Sequence, residues 1–491
     1  MTTNPTYNQR KPENTVLHQV IRKNFGKFQA LMEEKGKNIP SYVLQEFEDY
    51  LSCGDPTQGF ARLKCNDCGH EKILPFSCKK RGFCPSCCGR RMNEAEAHLV
   101  ESVFPIQNTR QWVLSIPIPL RMYSARNRKL INLLHGIFQE SIMCLIKKKL
   151  RSIGIENTKG GGVVFIQRLG GAINLNVHFH AIFLDGGYTE EQDGNFKFHD
   201  IADLLTSEDV CWAVQRIAEK SVKALRKLGL LEGDDIHLEE AESGISDCDG
   251  ASAKNLIFLG ERAGQKVRRI HLQCKDAAPV LKGEMVAAMH GFNLKADKLV
   301  KSHQRWKLSR LIRYVSRPPV ANDRLKISDD GETVRYVMKR PWSDGTYEII
   351  FSGVELVEKL ASAVPPPRGH LIRYIGVLAP NSAVRSKIVL KPKPKARSEE
   401  GKLTKKQRIE WAELAKRTFG IDLNVCEKCG GRVKRLAIIR NPEVILKILR
   451  HLSTASWDIK SGDPVDTSTS TSTIRPRAPP TLEPFYEAIP A

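Results

Sequence analysis

Seven cysteines fall within residues 53–88, in the segment CGDPTQGFARLKCNDCGHEKILPFSCKKRGFCPSCC, and no other stretch restricts the folding of this chain so strongly. Two Cys-x-x-Cys knuckles, Cys65/Cys68 and Cys84/Cys87, each place two thiolates on one tight turn, and two such turns can close a tetrahedral site of four sulfurs. Gly69 after the first knuckle and Pro85 within the second supply the turn geometry. The expectation is a structural Zn2+ on Cys65, Cys68, Cys84 and Cys87. Cys53, Cys78 and His70 lie nearby in sequence and offer a second zinc set. The alternative for the two cysteines is burial as small apolar groups. Cys88, adjacent to Cys87, is the spectator. Lys79, Lys80, Arg81, Arg90 and Arg91 surround the cluster with positive charge, as a DNA-contacting module would require. Far downstream, Cys426 and Cys429 precede two glycines and resemble half a zinc ribbon, with no later cysteine pair to complete it and His451 as the downstream ligand candidate.

Composition points the same way. Lys and Arg number 77 against 55 Asp and Glu, a formal net charge of +22. A chain this basic needs a polyanion, and nucleic acid is the default partner. No apolar run of about twenty residues predicts a membrane span, and the polar first residues lack the apolar core of a signal peptide. Thirteen cysteines without such a signal read as metal ligands in a reducing cytoplasm rather than as disulfides.

A second landmark is the segment NLNVHFHAIFLD, residues 174–185, whose alternation predicts a strand. His178 and His180 are two apart, so both imidazoles share one face while Phe179 points into a core. Two imidazoles on one rigid face are half of a divalent-metal site; the alternative is two histidines on a polar sheet face. Around this strand the expected order is a strand at Trp112–Ile118, a long helix with Leu130 to Ile146 on its apolar face, a strand at Val163–Arg168, the histidine strand, and a helix over about 203–228. That β-α-β-β-α order is the signature of a ferredoxin-like sheet with helices on one face. The strand at Val163–Arg168 should pair beside the histidine strand, which makes the Gln167 amide the candidate third metal ligand. Further on, KSHQRWKLSRLIRYVS predicts a helix over 301–316, ended by Pro318-Pro319. Its Tyr314, among Arg310, Arg313 and Arg317, is well placed to meet a phosphate; the alternative is an amphipathic tyrosine anchoring the helix.

Five blocks, CGH…SCKKRGFCPSC, FIQRLGGAINLNVHFHAIFLDG, RLIRYVSRPPVANDRL, YVMKRPWSDGT and PPPRGHLIRYIGVLAPNS, occur in order and together resemble the rolling-circle insertion-sequence transposases of the IS91 type. The resemblance runs from about residue 15 to about residue 450. It implies an HUH endonuclease core, in which two histidines around a hydrophobic residue hold Mg2+ or Mn2+ and a tyrosine cuts one DNA strand. Carried over, His178 and His180 are the metal ligands and Tyr314 is the nucleophile that forms a 5′-phosphotyrosine; the setting of the tyrosine at its helix end adds Arg313 and Arg317 as candidates to assist it. Some relatives carry a second tyrosine four residues earlier. Arg310 stands there, so the chain resembles the single-tyrosine branch.

The whole is expected to be an α+β protein: N-terminal helices and a zinc-binding domain over 1–100, a ferredoxin-like HUH catalytic domain over 101–320 with an acidic surface insertion near 231–262, and the rest of the transposase domain over 321–390. A basic linker and the C-terminal knuckle over 391–455 follow, then a disordered tail over 456–491. The KPKPK stretch at 391–395 is expected to be an extended arm. The expected partner is DNA, single-stranded and duplex, with no membrane, in a bacterial cytoplasm near the nucleoid; an oligomer is compatible with the sequence. Two rival functions share parts of this pattern. A replication-initiation or mobilisation relaxase shares the HUH core but lacks the zinc module and the C-terminal blocks. A non-catalytic zinc-containing DNA-binding protein would have no need of the histidines together with Tyr314.

Overall fold

Val177, Phe179, Ala181 and Phe183 alternate with His178, His180 and Ile182, and this two-residue period sets a central strand with two different faces, Leu175–Leu184. It occupies the middle of a six-stranded sheet in a computed structural model that describes residues 11–230, 245–271, 284–339, 341, 344–389, 411–420 and 422–454. The strand order is Ile372–Gly376, Gly161–Leu169, Leu175–Leu184, Thr109–Ser115, Phe292–Val300 and Val286–Met289, with every neighbouring pair antiparallel.

One face of the sheet is covered by the long helix Arg128–Ser152 and the helix Ser207–Lys227. Asn127 caps the first by accepting from Leu130 N at 2.9 Å, and Thr206 with Asp209 forms a capping box on the second. Leu134, Phe138, Ile142 and Leu145 pack onto Val177, Phe179 and Phe183. Each such fully buried side chain contributes roughly 1.5–3 kcal/mol of transfer free energy. By length and composition the long helix is also apolar enough to cross a membrane, but here its apolar face lies on the sheet.

The opposite face carries what the order of elements did not foretell. Helix Pro85–Ser102 and helix Arg305–Val315 pack there on Val163, Phe165, Ile182 and Leu184, so helices cover both faces. The tyrosine helix starts later than 301 because residues 301–304 form a turn closed by Gln304 N to Lys301 O at 2.8 Å. The first strand ends at Ser115, since Pro117 begins a short helix, Ile118–Arg126.

Several expected boundaries do not coincide with the cores. Strand Ile372–Gly376, expected outside the catalytic domain, forms the edge of its sheet. Residues 245–262 are not a surface insertion: Ile245, Cys248, Ile257 and Leu259 are buried, Asp249 pairs with Arg126 at 2.6 Å, and the Glu358 carboxylate accepts from Phe258 N and Leu259 N at 3.0 Å. Residues 231–244 lie outside the described residues. The N-terminal helices Val16–Glu34 and Ser41–Leu51 share a core with helix Gly353–Ala363 and with the sheet that contains Leu325–Ile327, Thr333–Val337 and Thr346–Ser352. Thr15 caps the first of those helices, its Oγ1 accepting from His18 N at 3.4 Å. At the other end, strand Val433–Ile439 pairs with Phe60–Cys65, which also pairs with Glu71–Pro75. The KPKPK arm at 391–395 and the tail from 455 onward lie outside the described residues.

Candidate catalytic and zinc sites

His178 and His180 project from the sheet face that carries the tyrosine helix. The His178 and His180 ring centroids are 5.0 Å apart, and the Tyr314 ring stands edge-on to His180 at 6.1 Å. His178 Nδ1 donates to Asn176 O at 2.6 Å, which leaves Nε2 with its lone pair. Burial lowers its pKa to about 4, partly opposed by that hydrogen bond and reinforced by Arg121 and Arg317. Burial, with His178, Arg317 and Lys298 nearby, drives His180 well below the ordinary imidazole value. Both rings are therefore neutral near pH 7, the form that ligates a cation.

Two amides flank the pair. Gln167 lies directly across from His178 in the neighbouring strand, but its Nε2 donates to Val315 O at 2.5 Å and so ties the sheet to the end of the tyrosine helix. Gln111, on the strand at the other side, has its Nε2 2.9 Å from His180 Nδ1. Sequence reasoning overlooked Gln111. The signal was there: an amide in a strand otherwise destined for burial, TRQWVLS, needs a partner.

Tyr314 is 39% exposed, which leaves its hydroxyl reachable, and cations crowd its ring. Arg317 lies 4.9 Å from the ring centroid, Lys298 5.2 Å and Lys339 5.6 Å. Lys298 is delivered by a register shift in Phe292–Val300 after Lys295. Arg313, expected beside the tyrosine, is exposed on the same helix, about 100° further round the axis. Tyr314 also lines a cavity of about 530 Å³ that takes in Gln167, Arg81, Arg91, Arg168, Arg324 and the three cations just named. Seven cationic side chains and no carboxylate line it, a charge balance that favours an anionic ligand.

The zinc-region residues divide in a way their spacing did not suggest. Cys84 and Cys87 do not close on Cys65 and Cys68. They close on Cys53 and Cys78, with Sγ separations of 3.7 Å for Cys53–Cys84, 3.9 Å for Cys53–Cys87 and 3.4 Å for Cys78–Cys87. Cys65 and Cys68 instead meet Cys426 and Cys429. The upstream knuckle, and not His451, completes the C-terminal one, and His70 pairs with Glu427 at 3.3 Å. The physical reason is the hairpin Phe60–Pro75, which carries its knuckle away from Cys84 and toward the C-terminal strand. Cys88 is buried outside both clusters, its thiol pushed up to about 12 by burial.

The Cys53 cluster fits zinc by its donors. Cys78 N and Lys79 N donate to the sulfurs of Cys53 and Cys87 at 3.3 Å each, as backbone amides do around a bound thiolate. Among the expected DNA contacts, Lys79 is exposed, Lys80 pairs with Asp49 at 2.8 Å, and Arg90 is half-buried. Arg81 donates to Gly369 O at 2.7 Å and Arg91 to Lys79 O at 2.5 Å. Through Arg81 and Arg91 the zinc-bearing segment forms one wall of the tyrosine cavity.

Residues 21–116 match the family described as transposase zinc-binding domain, and residues 161–386 match the family described as putative transposase. These matches define the class as a transposase with a zinc-binding domain. Over 412 residues the chain is 21% identical to the transposase for insertion sequence element IS801 of Pseudomonas savastanoi pv. phaseolicola, covering 83% of this chain and 86% of that protein. No solved structure matches it. The chain belongs to the IS91-type insertion-sequence transposases.

Proposed function

We propose that this transposase cuts and rejoins single DNA strands at the ends of its element, with Tyr314 as nucleophile on a ferredoxin-like HUH core, and so supports rolling-circle transposition. The strand order supports the core. Taken in chain order, Thr109–Ser115, Gly161–Leu169, Leu175–Leu184 and Phe292–Val300 lie as second, third, first, fourth across the sheet, the arrangement of a split β-α-β fold. The observation that carries the reaction is Tyr314 standing 6.1 Å from His180 with three cations about its ring.

His178 and His180 would hold Mg2+ or Mn2+, and Gln111 supports His180 when its amide is turned so that Oε1 accepts from Nδ1–H and frees Nε2 for the metal. A bound divalent cation supplies Lewis-acid polarisation of the scissile phosphate. Tyr314 Oη attacks the phosphorus, the bond to the 3′ oxygen breaks, and a 5′-phosphotyrosine and a 3′-hydroxyl result, the tyrosine proton passing by way of solvent to the 3′ oxygen. The phosphodiester energy stays in the covalent link, so rejoining needs no nucleoside triphosphate. Lys298, Arg317 and Lys339 hold the non-bridging oxygens of the scissile phosphate. Arg81 and Arg91 extend the cationic track from the zinc-bearing segment, so DNA held there leads into the cavity.

The test is incubation of purified protein with single-stranded element ends and Mn2+. A covalent protein–DNA adduct is expected from wild type and from Tyr374→Phe, and none from Tyr314→Phe, which keeps its DNA affinity. Tyr374 is the rival, on the edge strand beneath Arg385 at 5.9 Å. An adduct that survives in Tyr314→Phe and disappears in Tyr374→Phe reverses the assignment.

A further inference from the structure

The zinc-binding family match ends at residue 116, yet one of the two four-sulfur clusters draws half its ligands from residues 426 and 429. We propose that Cys65, Cys68, Cys426 and Cys429 bind a second structural Zn2+, which clasps the C-terminal unit 411–451 onto the hairpin Phe60–Pro75.

The two knuckles are built alike although they are more than 350 residues apart. Each reads Cys-x-x-Cys-Gly, and in each the glycine is left-handed, Gly69 at φ +71° and Gly430 at φ +75°. Only a residue without Cβ takes that conformation freely. In each, the first cysteine's N–H donates to the carbonyl five residues on, Cys65 N to His70 O and Cys426 N to Gly431 O, both at 2.8 Å. Gly431 N also donates to Cys429 Sγ at 3.4 Å. These are two copies of one sulfur-presenting loop facing each other.

The separations suit a metal rather than a disulfide. Cys65 and Cys429 sulfurs are 3.5 Å apart, and Cys68 and Cys426 sulfurs 3.6 Å. A tetrahedron with Zn–S of about 2.3 Å has sulfurs about 3.8 Å apart. A disulfide needs about 2.05 Å, and these cysteines are free thiols. Strand pairing runs into the cluster, with Cys65 opposite Val433 and Asn66 N donating to Arg432 O at 2.9 Å. The apolar cores between the hairpin and this unit are small: Leu63, Cys65, Ala415, Leu423, Cys426 and Val433 beneath the cluster, and Phe60, Ile73 and Ile445 beside it. A unit that buries so little needs a staple.

The two centres differ in access. Cys53, Cys78, Cys84 and Cys87 are all buried, whereas Cys68 and Cys429 are exposed. The clasp ion is therefore the one a chelator reaches first. This inference stands apart from the strand-cleavage reading, since neither cluster touches Tyr314.

The experiment counts zinc released by a mercurial, which titrates thiolates, from the full-length protein. Two equivalents are expected from wild type and one from Cys426→Ser/Cys429→Ser. Chelator-driven release from wild type should show a fast and a slow phase of equal size, with only the slow phase left in the double variant. One thiolate-bound equivalent in wild type, or two persisting in the folded double variant, overturns the proposal. The wild-type count decides by itself if that variant fails to fold. Strand cleavage of short single-stranded substrates, measured alongside, reads the Tyr314 assignment separately.

Discussion

Gln111 and Gln167 illustrate how little the identity of a residue says about its task. Both are amides beside the histidine pair, yet one holds an imidazole and the other a helix. An outer-sphere partner of a metal-binding histidine typically contributes 10–100-fold in metal affinity. Gln111→Leu is therefore expected to raise the Mn2+ concentration for half-maximal adduct formation by about that factor. Gln167→Leu should leave the Mn2+ requirement alone and lower the rate, because Tyr314 loses the tether at the end of its helix. A metal titration of both variants separates the two roles, and equal Mn2+ curves would refute the distinction. Lys79 is a smaller case: it takes a left-handed φ of 57° where its N–H donates to Cys87 Sγ. Lys79→Gly relieves that conformation, worth roughly 1 kcal/mol, so thermal unfolding of the zinc-bearing segment should move up or hold steady.

Elements were legible where a local period or a chemical motif wrote them. The histidine strand, the long helix Arg128–Ser152 and the helix Ser207–Lys227 follow from their apolar spacing, and the strand beside the histidines from its apolar run and glycine boundaries. What no period encodes is which distant element completes a sheet or a cluster. Strand Ile372–Gly376 reads as one more short apolar run, and Cys426/Cys429 as half a ribbon, until the fold brings each to its partner. The edge strand has a steric mark all the same. Gly376 is left-handed, and a Cβ there would strike the Gly160 carbonyl. Gly376→Ala should destabilise the protein by at least about 2 kcal/mol, adding left-handed strain and a backbone clash, seen as a lower denaturant midpoint.

The long helix carries a titration of its own. Burial, with Arg373 nearby, lowers the pKa of His135 to about 3, and its Nε2 has no hydrogen-bond partner. Its folded pKa lies below the unfolded value of 6.5, so the unfolded chain takes up the proton more readily. Stability is thus full above pH 6.5 and falls as pH drops toward 3. His135→Leu should remove that loss, about 2 kcal/mol at pH 5, which acid-unfolding curves of the two proteins would show.

At the scale of the molecule, the +22 charge resolves into a directed track. Arg81 and Arg91 on the zinc-bearing segment, Arg324 and Lys339 beyond the tyrosine helix, and Lys298 on the sheet converge on one cavity. If a single strand occupies it, Lys339→Gln and Arg324→Gln should each reduce the slope of log affinity against log salt by about 0.7. Identical slopes would mean that neither meets a phosphate.

The strand order also schedules how the molecule comes off the ribosome. The sheet that carries the histidines receives its last strand only when residue 376 has been made, and the sulfur cluster shared by the two ends only when Cys429 has. At roughly 5–20 residues per second, about 3–10 s separate those events. The sheet that holds the histidine pair and the proposed nucleophile thus has all its strands while the second half of the clasp is still being translated, so the proposed cutting site does not wait for the clasp to form.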